Sequence, residues 1–353
     1  MPYFNIIKEN IIDKKSFRVA QIYDQFDLQE NNFKEEFSGN IELPEKWNIG
    51  LIVGKSGTGK SLIGKELFGK YFTNFKYKNN CVIDDFRKSI DPKELFQILS
   101  KVGFSSPPSW LKPYKVLSNG EKMRIDLARA LCDEKEIIVF DEFTSVVDRE
   151  IAKIGSLAVQ KIIRKLNKKF IAITCHYDVE SWLSPNWIFC TDDMQIQRRL
   201  LRRSKIKIEI RKEKGYWKYF RRYHYLNHDI VKHSMQYVGF IQNKPIAFCA
   251  VINYPHPKIK PMWKIHRIVV IPDYQGIGIG MKILNFVADI FNSKKQYIGI
   301  TTSLKGFAKG LIAKKQWILI SQGNKNKNSG MSSLNKTTSL NRNTYSFRYC
   351  PKT

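Results

Sequence analysis

Short apolar runs alternate with helical periodicity through the first half of the chain. The runs at Ile49–Val53, 136–140 and 170–174 have the length of buried strands. Helical spacing of apolar residues follows the first run, and a long periodic segment at 149–167 separates the other two. Strands that alternate with helices predict an α/β fold built on a mostly parallel sheet.

The opening segment, 1–48, has a different pattern from the runs that follow it. Short apolar runs, including 17–23, are separated by charged turns and predict antiparallel strands. An aromatic side chain here, Phe26 or Tyr23, is a candidate for stacking on a nucleotide base, although packing in a core is the commoner role of an aromatic residue. Further on, the run 81–86 predicts a short strand that ends in carboxylates.

The second half of the chain predicts an antiparallel sheet. Apolar and charged residues alternate at 206–210, and two strand-like runs within 237–251 are joined by a turn at 243–244. A third run, at 263–270, leads through a glycine-rich loop into an amphipathic helix. A last run, Thr344–Tyr349, predicts a closing strand.

A phosphate-binding loop directly follows the first buried run. Residues 54–61 fit the pattern G-x-x-x-x-G-K-[ST], and they lie between a predicted strand and a predicted helix, as the motif requires. The predicted phosphate contacts are Gly54, Lys55, Ser56, Gly57, Thr58, Gly59, Lys60 and Ser61. The Lys60 ammonium would reach the β- and γ-phosphates, and the Ser61 hydroxyl would bind Mg²⁺.

Other polar residues stand where a nucleotide site needs them. The second buried run ends in Asp141 and Glu142, which suit the Mg²⁺ shell and the activation of water. A predicted helix begins near Ser118 and Gly120, whose N–H groups and hydroxyl could bind a second anion. His176 follows the third run and could contact the γ-phosphate.

The order of these motifs resembles the ATPase domain of the ABC superfamily over about residues 15–190. The resemblance implies that Ser118, Asn119 and Gly120 touch the ATP of a second copy. It implies that Asp148 is the D-loop residue and His176 the switch histidine, and that ATP closes a homodimer. The glutamine of the family's Q-loop has no match, and Asp85, with Asp84, lies in its place as a possible Mg²⁺ contact.

Charge is distributed unevenly. The 353 residues carry a net charge of +28, of which residues 1–196 hold +2 and residues 197–353 hold +26. This asymmetry predicts two domains, 1–196 and 197–353, with a boundary near the basic run 198–205. A positive excess of this size favours a polyanionic partner, which we expect to be nucleic acid. The alternatives are an anionic membrane surface and a lysine-rich, solvated protein surface.

The glycine-rich segment 274–281 is a second candidate anion site. It lies between a strand ending in V-V-x-P and a helix, and with the preceding strands it resembles the acyl-CoA site of the GNAT acetyltransferase superfamily over about residues 205–350. The resemblance implies an α+β fold, a pantetheine arm paired with Ile268, Val269 and Val270, and a pyrophosphate held by Gln275, Gly276, Gly278 and Gly280. A dinucleotide-binding fold is disfavoured, because no acidic ribose ligand follows about 20 residues on.

Catalytic groups of the second half are harder to identify. An acyl transfer to an amine needs a base for the amine proton and an acid for the leaving thiolate. The candidates are His224, His266, Ser303 and the pair Tyr223 and Tyr225. The family's customary acidic tyrosine corresponds to Ile312.

Composition restricts the cellular setting. The six cysteines show no C-x-x-C pair, which favours reduced thiols over a zinc ribbon or disulfide framework. No apolar run approaches the roughly 18–20 residues of a membrane span. We therefore expect a soluble, cytoplasmic protein with no membrane partner.

The whole architecture resembles ABC ATPase–GNAT fusions of bacteria and phages. The leading hypothesis is an ATP-driven, acetyl-CoA-dependent N-acyltransferase that modifies DNA or RNA. Two alternatives stay open. One is a nucleic-acid-binding ATPase clamp with an inert GNAT domain, and the other is an acetyltransferase for a protein or small amine.

Overall fold

A computed structural model describes residues 3–11, 16–27, 32–133, 135–198, 206–224, 229–256, 259, 261–323 and 343–351. The chain forms two compact units, each assembled from separate stretches. Unit 1 comprises Met1–Phe75, Glu134–Asp148 and Ile163–Ser204. Unit 2 comprises Lys76–Asp133, Arg149–Ile162 and Lys205–Thr353.

Unit 1 is built around a five-stranded sheet. Its strands are β3 (Ile49–Val53), β4 (Ile137–Phe140), β5 (Lys169–Thr174), β6 (Trp187–Cys190) and β7 (Gln195–Arg198), in the order β4-β5-β3-β6-β7. All pairs are parallel except β6 with β7. Every residue of β3 is buried, because this strand is central and covered on both faces.

A separate antiparallel pair precedes this sheet in unit 1. Strands β1 (Tyr3–Ile11) and β2 (Asn32–Asn40) pair along their full length. Between them lies helix α1 (Phe17–Phe26), and not the strand predicted for 17–23. Tyr23 is the one residue of α1 that is buried. The strand prediction was wrong because so short an apolar run fits a strand and a helix equally well. Helix α2 (Lys60–Phe68) follows β3, and helix α7 (Val179–Leu183) precedes β6.

Unit 2 begins with helices. They are α3 (Pro92–Lys101), α4 (Pro107–Trp110) and α5 (Asn119–Cys132), and the unit later takes in residues 149–162 of helix α6 (Arg149–Leu166). The predicted strand at 81–86 is wrong, since Val82–Asp85 is a 3₁₀ helix. A run of so few apolar residues carries too little periodicity to separate the two conformations.

A seven-stranded sheet forms the rest of unit 2. Its strands are β8 (Glu209–Lys212), β9 (Met235–Ile241), β10 (Lys244–Asn253), β11 (Met262–Val270), β12 (Tyr297–Thr302), β13 (Trp317–Gly323) and β14 (Thr344–Tyr349). The order is β13-β14-β12-β11-β10-β9-β8, and only β11 and β12 run parallel. Helices α8 (Trp217–Phe220), α9 (Ile279–Ser293) and α10 (Lys305–Ile312) complete the unit.

The sheet confirms the antiparallel pattern expected for the second half, with small shifts. The strand predicted at 206–210 is observed at Glu209–Lys212. The hairpin turn lies at Gln242 and Asn243, both with positive φ, one position before the expected turn. The basic run from 199 to 205 lies outside the described residues, so the boundary between domains 1–196 and 197–353 stays a prediction.

No helix among the described residues is both long and apolar enough to cross a membrane.

Candidate functional site

The loop at 54–59 in unit 1 has the backbone shape that its glycines allow. Gly57 and Gly59 have φ values of 88° and 77°, and Gly59 caps helix α2. A side chain on Gly54 would lie 2.1 Å from the Thr191 hydroxyl, so a glycine is required by close contact. The loop therefore leads into the N-terminus of α2, which suits an anion.

A cleft of about 390 Å³ opens at this loop. Its walls hold five of the eight loop residues together with Asp141 and Glu142, and side chains from the hairpin β1–β2 and the end of β5. The lining residues are Lys8, Glu35, Phe37, Ser56, Gly57, Gly59, Lys60, Ser61, Leu62, Asp141, Glu142, Ser145, Ile173, Thr174 and Cys175. All of them belong to unit 1.

Two oxygen ligands meet in the cleft at the predicted metal position. The Ser61 hydroxyl donates to Asp141 Oδ1 over 2.9 Å, and Asp141 follows directly after β4. A hydroxyl and a carboxylate are the oxygen donors that Mg²⁺ uses beside substrate phosphates. Among the described residues no group of three or more His, Cys, Asp or Glu is placed to hold a metal. The donor set therefore fits Mg²⁺ bound together with nucleotide phosphates, which it would neutralise.

Glu142 stands beside this pair in an unusual conformation. Its φ is 51°, its N–H donates to Asp141 Oδ1 over 3.0 Å, and its side chain is exposed in the cleft. Left-handed backbone at a non-glycine residue costs energy and is enriched at functional sites. The position suits a base for an attacking water.

Hydrogen bonds hold the loop in place. Lys60 Nζ donates to the Lys55 carbonyl, and Lys55 N–H donates to Asp192 Oδ1 over 2.9 Å. The Tyr177 hydroxyl donates to the other oxygen of Asp192. These donors, Tyr177 first and then Lys55, lower the pKa of Asp192. Asp192 thus holds the loop in place as an anionic hydrogen-bond acceptor, and no sequence motif predicts it.

The aromatic residue at the cleft is Phe37. A methyl group on Gly59 would lie 2.8 Å from the Phe37 ring, so this ring covers the last loop glycine. Phe26, chosen from the sequence, ends helix α1, is 65% exposed and is not part of the cleft wall. The stacking of Phe26 on a nucleotide base stays a prediction. Phe37, in β2, lies at the cleft and is the better placed of the two for that contact.

Three further predicted residues lie at element ends. His176 is half-buried after β5, where its N–H donates to Thr174 Oγ1, and Asp148 is exposed just before α6. Asp85 closes the 3₁₀ helix, and its Oδ1 accepts hydrogen bonds from Lys78 and Asn79. The metal role of Asp85 stays a prediction.

Helix α5 in unit 2 has a well-formed N-terminus. The Ser118 hydroxyl accepts from Glu121 N–H, and the Glu121 carboxylate accepts from Ser118 N–H, which is a capping box. Ser118 and Asn119 are exposed, whereas Gly120 is buried. The exposed end presents a hydroxyl and N–H groups of the kind predicted to meet the ATP of a second copy.

Strands β11 and β12 part within unit 2. Their parallel pairing ends at Ile265 with Ile300, although β11 continues to Val270. From Arg267 to Val270 the strand pairs with β10 on its other side. Within the described residues, this part of β11, which includes Ile268, Val269 and Val270, has no strand paired on the β12 side, so its backbone can pair with an extended ligand.

The glycine-rich loop follows this open strand edge. Gly276 and Gly278 have φ values of 87° and 94°, and Gly278 caps the 15-residue helix α9. A methyl group on Gly280 would contact only the Val270 side chain, at 3.5 Å. The loop thus places a helix N-terminus beside the parted strands, an arrangement that suits a phosphate attached to an extended arm.

Gln275 does not extend toward that helix N-terminus. Its Nε2 donates to the Val270 carbonyl over 2.8 Å, and its Oε1 accepts from the N–H and hydroxyl of Ser105. Because both ends of the amide are engaged within unit 2, we assign Gln275 a bracing role for the loop, and phosphate contact by its side chain stays a prediction.

Comparison with known families agrees with this geometry. Residues 197–306 match the acetyltransferase (GNAT) family. The chain carries a GNAT domain. Its N-terminal region matches ABC-type ATP-binding proteins, so the fusion predicted from the sequence is confirmed.

The similarity to ABC-type proteins is confined to short segments. The chain is 47% identical over 64 residues to the energy-coupling factor transporter ATP-binding protein EcfA of Onion yellows phytoplasma (strain OY-M), covering 18% of this chain and 22% of that protein. It is 35% identical over 92 residues to the spermidine/putrescine import ATP-binding protein PotA of Mesomycoplasma hyopneumoniae (strain 232), covering 26% and 20%. The chain thus spans about a fifth of the length of these relatives.

A solved structure with related elements is a dimeric ATP-binding cassette in a post-hydrolysis state bound to ADP and Pi. The TM-score is 0.37 at 16% identity, and the match covers 46% of this chain and 92% of that one. At this level the likeness adds nothing to the sequence matches.

His266 occupies an irregular position in the GNAT domain. Ala250 pairs with Arg267 and Val251 with Ile265, so His266 is the extra residue of a β-bulge at the point where β11 leaves β12. Bulges often re-aim a side chain beside an active site. Burial first, then Arg267 and Lys264, lower the pKa of His266 to about 4, so its imidazole is neutral at pH 7.

The other catalytic candidates of the GNAT domain are less sharply placed. Ser303 directly follows β12, at the mouth of the opening between the strands. The His224 ring lies 5.8 Å from the Trp217 ring, and Tyr223 is half-buried beneath the Arg222 guanidinium at 4.7 Å. Tyr225 lies outside the described residues. None of these roles is tested by the geometry, and each stays a prediction.

Two aromatic residues of the basic segment 216–223, Trp217 and Phe220, have a structural role. Trp217 and Phe220 are 7% and 0% exposed and pack on Phe248. Tyr216 contacts the Phe240 ring edge. Trp217 and Phe220 are therefore core residues and cannot stack on a base.

Proposed function

We propose that the protein is an ATP-hydrolysing, acyl-CoA-dependent N-acyltransferase with a nucleic-acid acceptor. The observation that carries the transferase is the parting of β11 and β12 beside the N-terminus of α9. The open edge at 267–270 can pair with the amides of a pantetheine arm, and the capped glycine loop can bind its pyrophosphate. We take acetyl-CoA as the donor and the cytoplasm as the location.

The chemistry needs one bond made and one broken. An amine nitrogen of the acceptor attacks the thioester carbonyl, so the C–N bond forms, the C–S bond breaks, and the electron pair of that bond leaves on sulfur. The amine proton must pass to a base and the thiolate must receive a proton. His266, neutral at the bulge, can accept a hydrogen bond from the amine, and Ser303, at the end of β12, can donate to the leaving sulfur.

The nucleotide half is proposed to gate or drive this transfer. ATP would lie in the cleft with its phosphates on the loop, with Ser61 and Asp141 holding Mg²⁺ and Glu142 polarising water. A second copy would present Ser118 and Gly120 to the same ATP. The N-terminus of α5 supports this homodimer, because its first residues, Ser118 and Asn119, are exposed and a helix N-terminus favours an anion.

The nucleic-acid acceptor is proposed on charge. Residues 197–353 hold a net +26, far more than the phosphates of a single CoA require. Burial of Trp217 and Phe220 argues against base stacking by these residues as the mode of contact. We therefore propose that Lys and Arg side chains contact the phosphates. A protein or small-amine acceptor, and a clamp with an inert transferase, are the competing outcomes.

The decisive experiment follows label from acetyl-CoA to acceptor. The full chain is incubated with Mg-ATP, labelled acetyl-CoA and in turn DNA, RNA, a basic protein and a polyamine. We expect label in a nucleic acid, and binding that weakens steeply with salt. Gly278→Asp should abolish transfer because it puts a carboxylate at the phosphate position. Gly215→Asp, at an equally positive φ with nothing within 4 Å, is the matched control. Label only in protein or amine refutes the acceptor, and no transfer supports the clamp.

A further inference from the structure

A buried arginine in unit 2 touches both functional segments of that unit. Arg124 lies on α5, one turn after Gly120, and is 2% exposed. Its Nη1 donates to the Gly120 carbonyl over 3.4 Å, and its Nη2 donates to the Asp273 carbonyl over 2.5 Å. The Asp273 carboxylate lies 4.0 Å away. The Arg124 guanidinium therefore bridges the start of α5 and the turn before the glycine-rich loop.

The two bridged segments are themselves stiff. Ser118 and Glu121 close the capping box around Gly120, and the Ser109 hydroxyl donates to buried Glu121 over 2.9 Å. A methyl group on Gly120 would lie 2.8 Å from Asp273 Oδ1, so the Asp273 carboxylate packs directly against the start of α5. A displacement at one segment must therefore be followed by the other or break a buried charged contact.

The turn next to Arg124 leads directly into the proposed acyl-CoA loop. Asp273 lies in the 3₁₀ turn Pro272–Tyr274, and Tyr274, at 1% exposure, is fixed in the core of the sheet. Gln275 follows at once and is braced by Val270 and Ser105. The position of Asp273 thus helps to set the position of the loop that begins two residues later.

A second helix reaches the same loop. Lys161, on α6, donates to the Gly276 carbonyl over 3.1 Å, and its ammonium lies 3.6 Å from the position of a methyl group on Gly278. Helix α6 begins at Arg149, directly after the proposed D-loop residue Asp148. Both helices that hold the loop therefore begin at residues that the ABC resemblance assigns to the nucleotide site, Ser118 and Gly120 for α5 and Asp148 for α6.

We propose that Arg124 is a positioning residue that couples nucleotide binding at the α5 N-terminus to acyl-CoA binding at loop 275–280, with Lys161 as a weaker second link. This inference rests on the proposed function and supplies a coupling route in a chain without a matching Q-loop glutamine. Burial lowers the pKa of Arg124 to about 10, so the bridge is charged at neutral pH. By linkage, each ligand changes the affinity for the other by the same factor.

The test measures that factor with the full chain. Acetyl-CoA affinity is determined by calorimetry with and without the non-hydrolysable nucleotide AMP-PNP and Mg²⁺. We expect a ratio within about 5- to 150-fold in the unsubstituted protein. Arg124→Lys retains a positive charge but cannot reach two carbonyls with a planar fork, so its ratio should approach one while both ligands still bind. Lys161→Met, at an exposed residue, should lower the ratio in part.

The matched control removes another contact of unit 2. Lys309 Nζ donates to Gln97 Oε1 over 3.2 Å at the surface, a bond that involves neither Arg124 nor a residue of the loop, and Lys309→Ala should keep the full ratio. A purely structural Arg124 would lower the melting temperature and leave the ratio intact, which overturns the inference. A ratio of one in the unsubstituted protein also overturns it. Failure of acetyl-CoA to bind at all would instead refute the proposed function.

Discussion

Gly103 and Gly276 meet backbone to backbone inside unit 2. Both have a φ of 87°, and a methyl group on Gly103 would lie 2.8 Å from the Gly276 nitrogen and from the Gln275 carbonyl carbon. A methyl group on Gly276 would lie 3.2 Å from Gly103 Cα. The glycine loop therefore depends on a second glycine that is far away in sequence and is packed directly against it.

Gly103→Ala should destabilise unit 2 more than the backbone conformation alone explains. Left-handed backbone costs an alanine about 1–2 kcal/mol, and forcing a methyl group against rigid backbone adds about 1–3 kcal/mol. Gly215→Ala is the matched control, because its φ is 95° and nothing lies within 4 Å. Thermal unfolding measures both, and at about 2–4 °C per kcal/mol the difference is resolvable. Equal losses would contradict the contact.

The contact between Gly103 and Gly276 could not be predicted from the sequence, although the loop itself could. The pattern of residues 274–281 correctly predicts a glycine loop between β11 and α9, because turn chemistry and periodicity are local properties. No local rule connects Gly103 or Ser105 to that loop, since those contacts arise only when distant segments pack. The GNAT resemblance implies a phosphate contact for Gln275, whereas its bonds to Ser105 and Val270 depend on the packing of the fold.

Phe37→Ala should weaken nucleotide binding, whereas Phe26→Ala should not. The Phe37 ring covers Gly59 in the cleft wall, and Phe26 is a mostly exposed helix end. An aromatic contact is worth about 0.5–1.5 kcal/mol beyond its area, which corresponds to a roughly 2- to 10-fold rise in Kd for ATP. Fluorescence titration with a labelled ATP analogue compares the two variants. A larger effect of Phe26→Ala would instead support Phe26 as the residue that stacks on the nucleotide base.

The meeting of Ser61 and Asp141 in the cleft has a physical reason. The carboxyl ends of parallel strands lie at the same edge of a sheet, so Ser61, after β3, and Asp141, after β4, are expected to lie close together. The Ser61 hydroxyl oxygen lies 2.9 Å from Asp141 Oδ1. The choice among nearby aromatics was not predictable, because it depends on how the hairpin β1–β2 packs. The strand predicted at 81–86 was wrong because its few apolar residues fit either conformation.

Glu142→Gln should separate ATP binding from hydrolysis. The amide keeps the size of the side chain but cannot accept a proton from water, so the rate should fall about 10²- to 10⁴-fold. The Ser61–Asp141 pair is untouched, and ATP affinity should therefore be retained. Phosphate release and equilibrium ATP binding are measured on the same preparation. A parallel loss of both would place Glu142 in binding and would remove its assignment as the base.

His266 should make stability fall with acidity over a defined pH window. Its pKa is lowered from 6.5 to about 4 in the folded protein, first by burial and then by the Arg267 and Lys264 charges. Between these values the unfolded chain binds a proton that the folded chain does not, so folding loses stability as pH falls from about 6.5 to about 4. Above this window the contribution of the neutral imidazole is complete.

His266→Gln removes that titration and gives the check. Urea unfolding at pH 7.5 and at pH 5 should show a smaller loss of stability for the variant than for the unsubstituted protein, whatever its stability at pH 7.5. Protonation of His266 should not lower the rate of acyl transfer above pH 5, because the imidazole is already neutral there. Any fall in that rate above pH 5 should therefore be the same in the unsubstituted protein and in the variant. An equal loss of stability in both proteins would show that His266 titrates normally and is not confined beside Arg267 at the bulge.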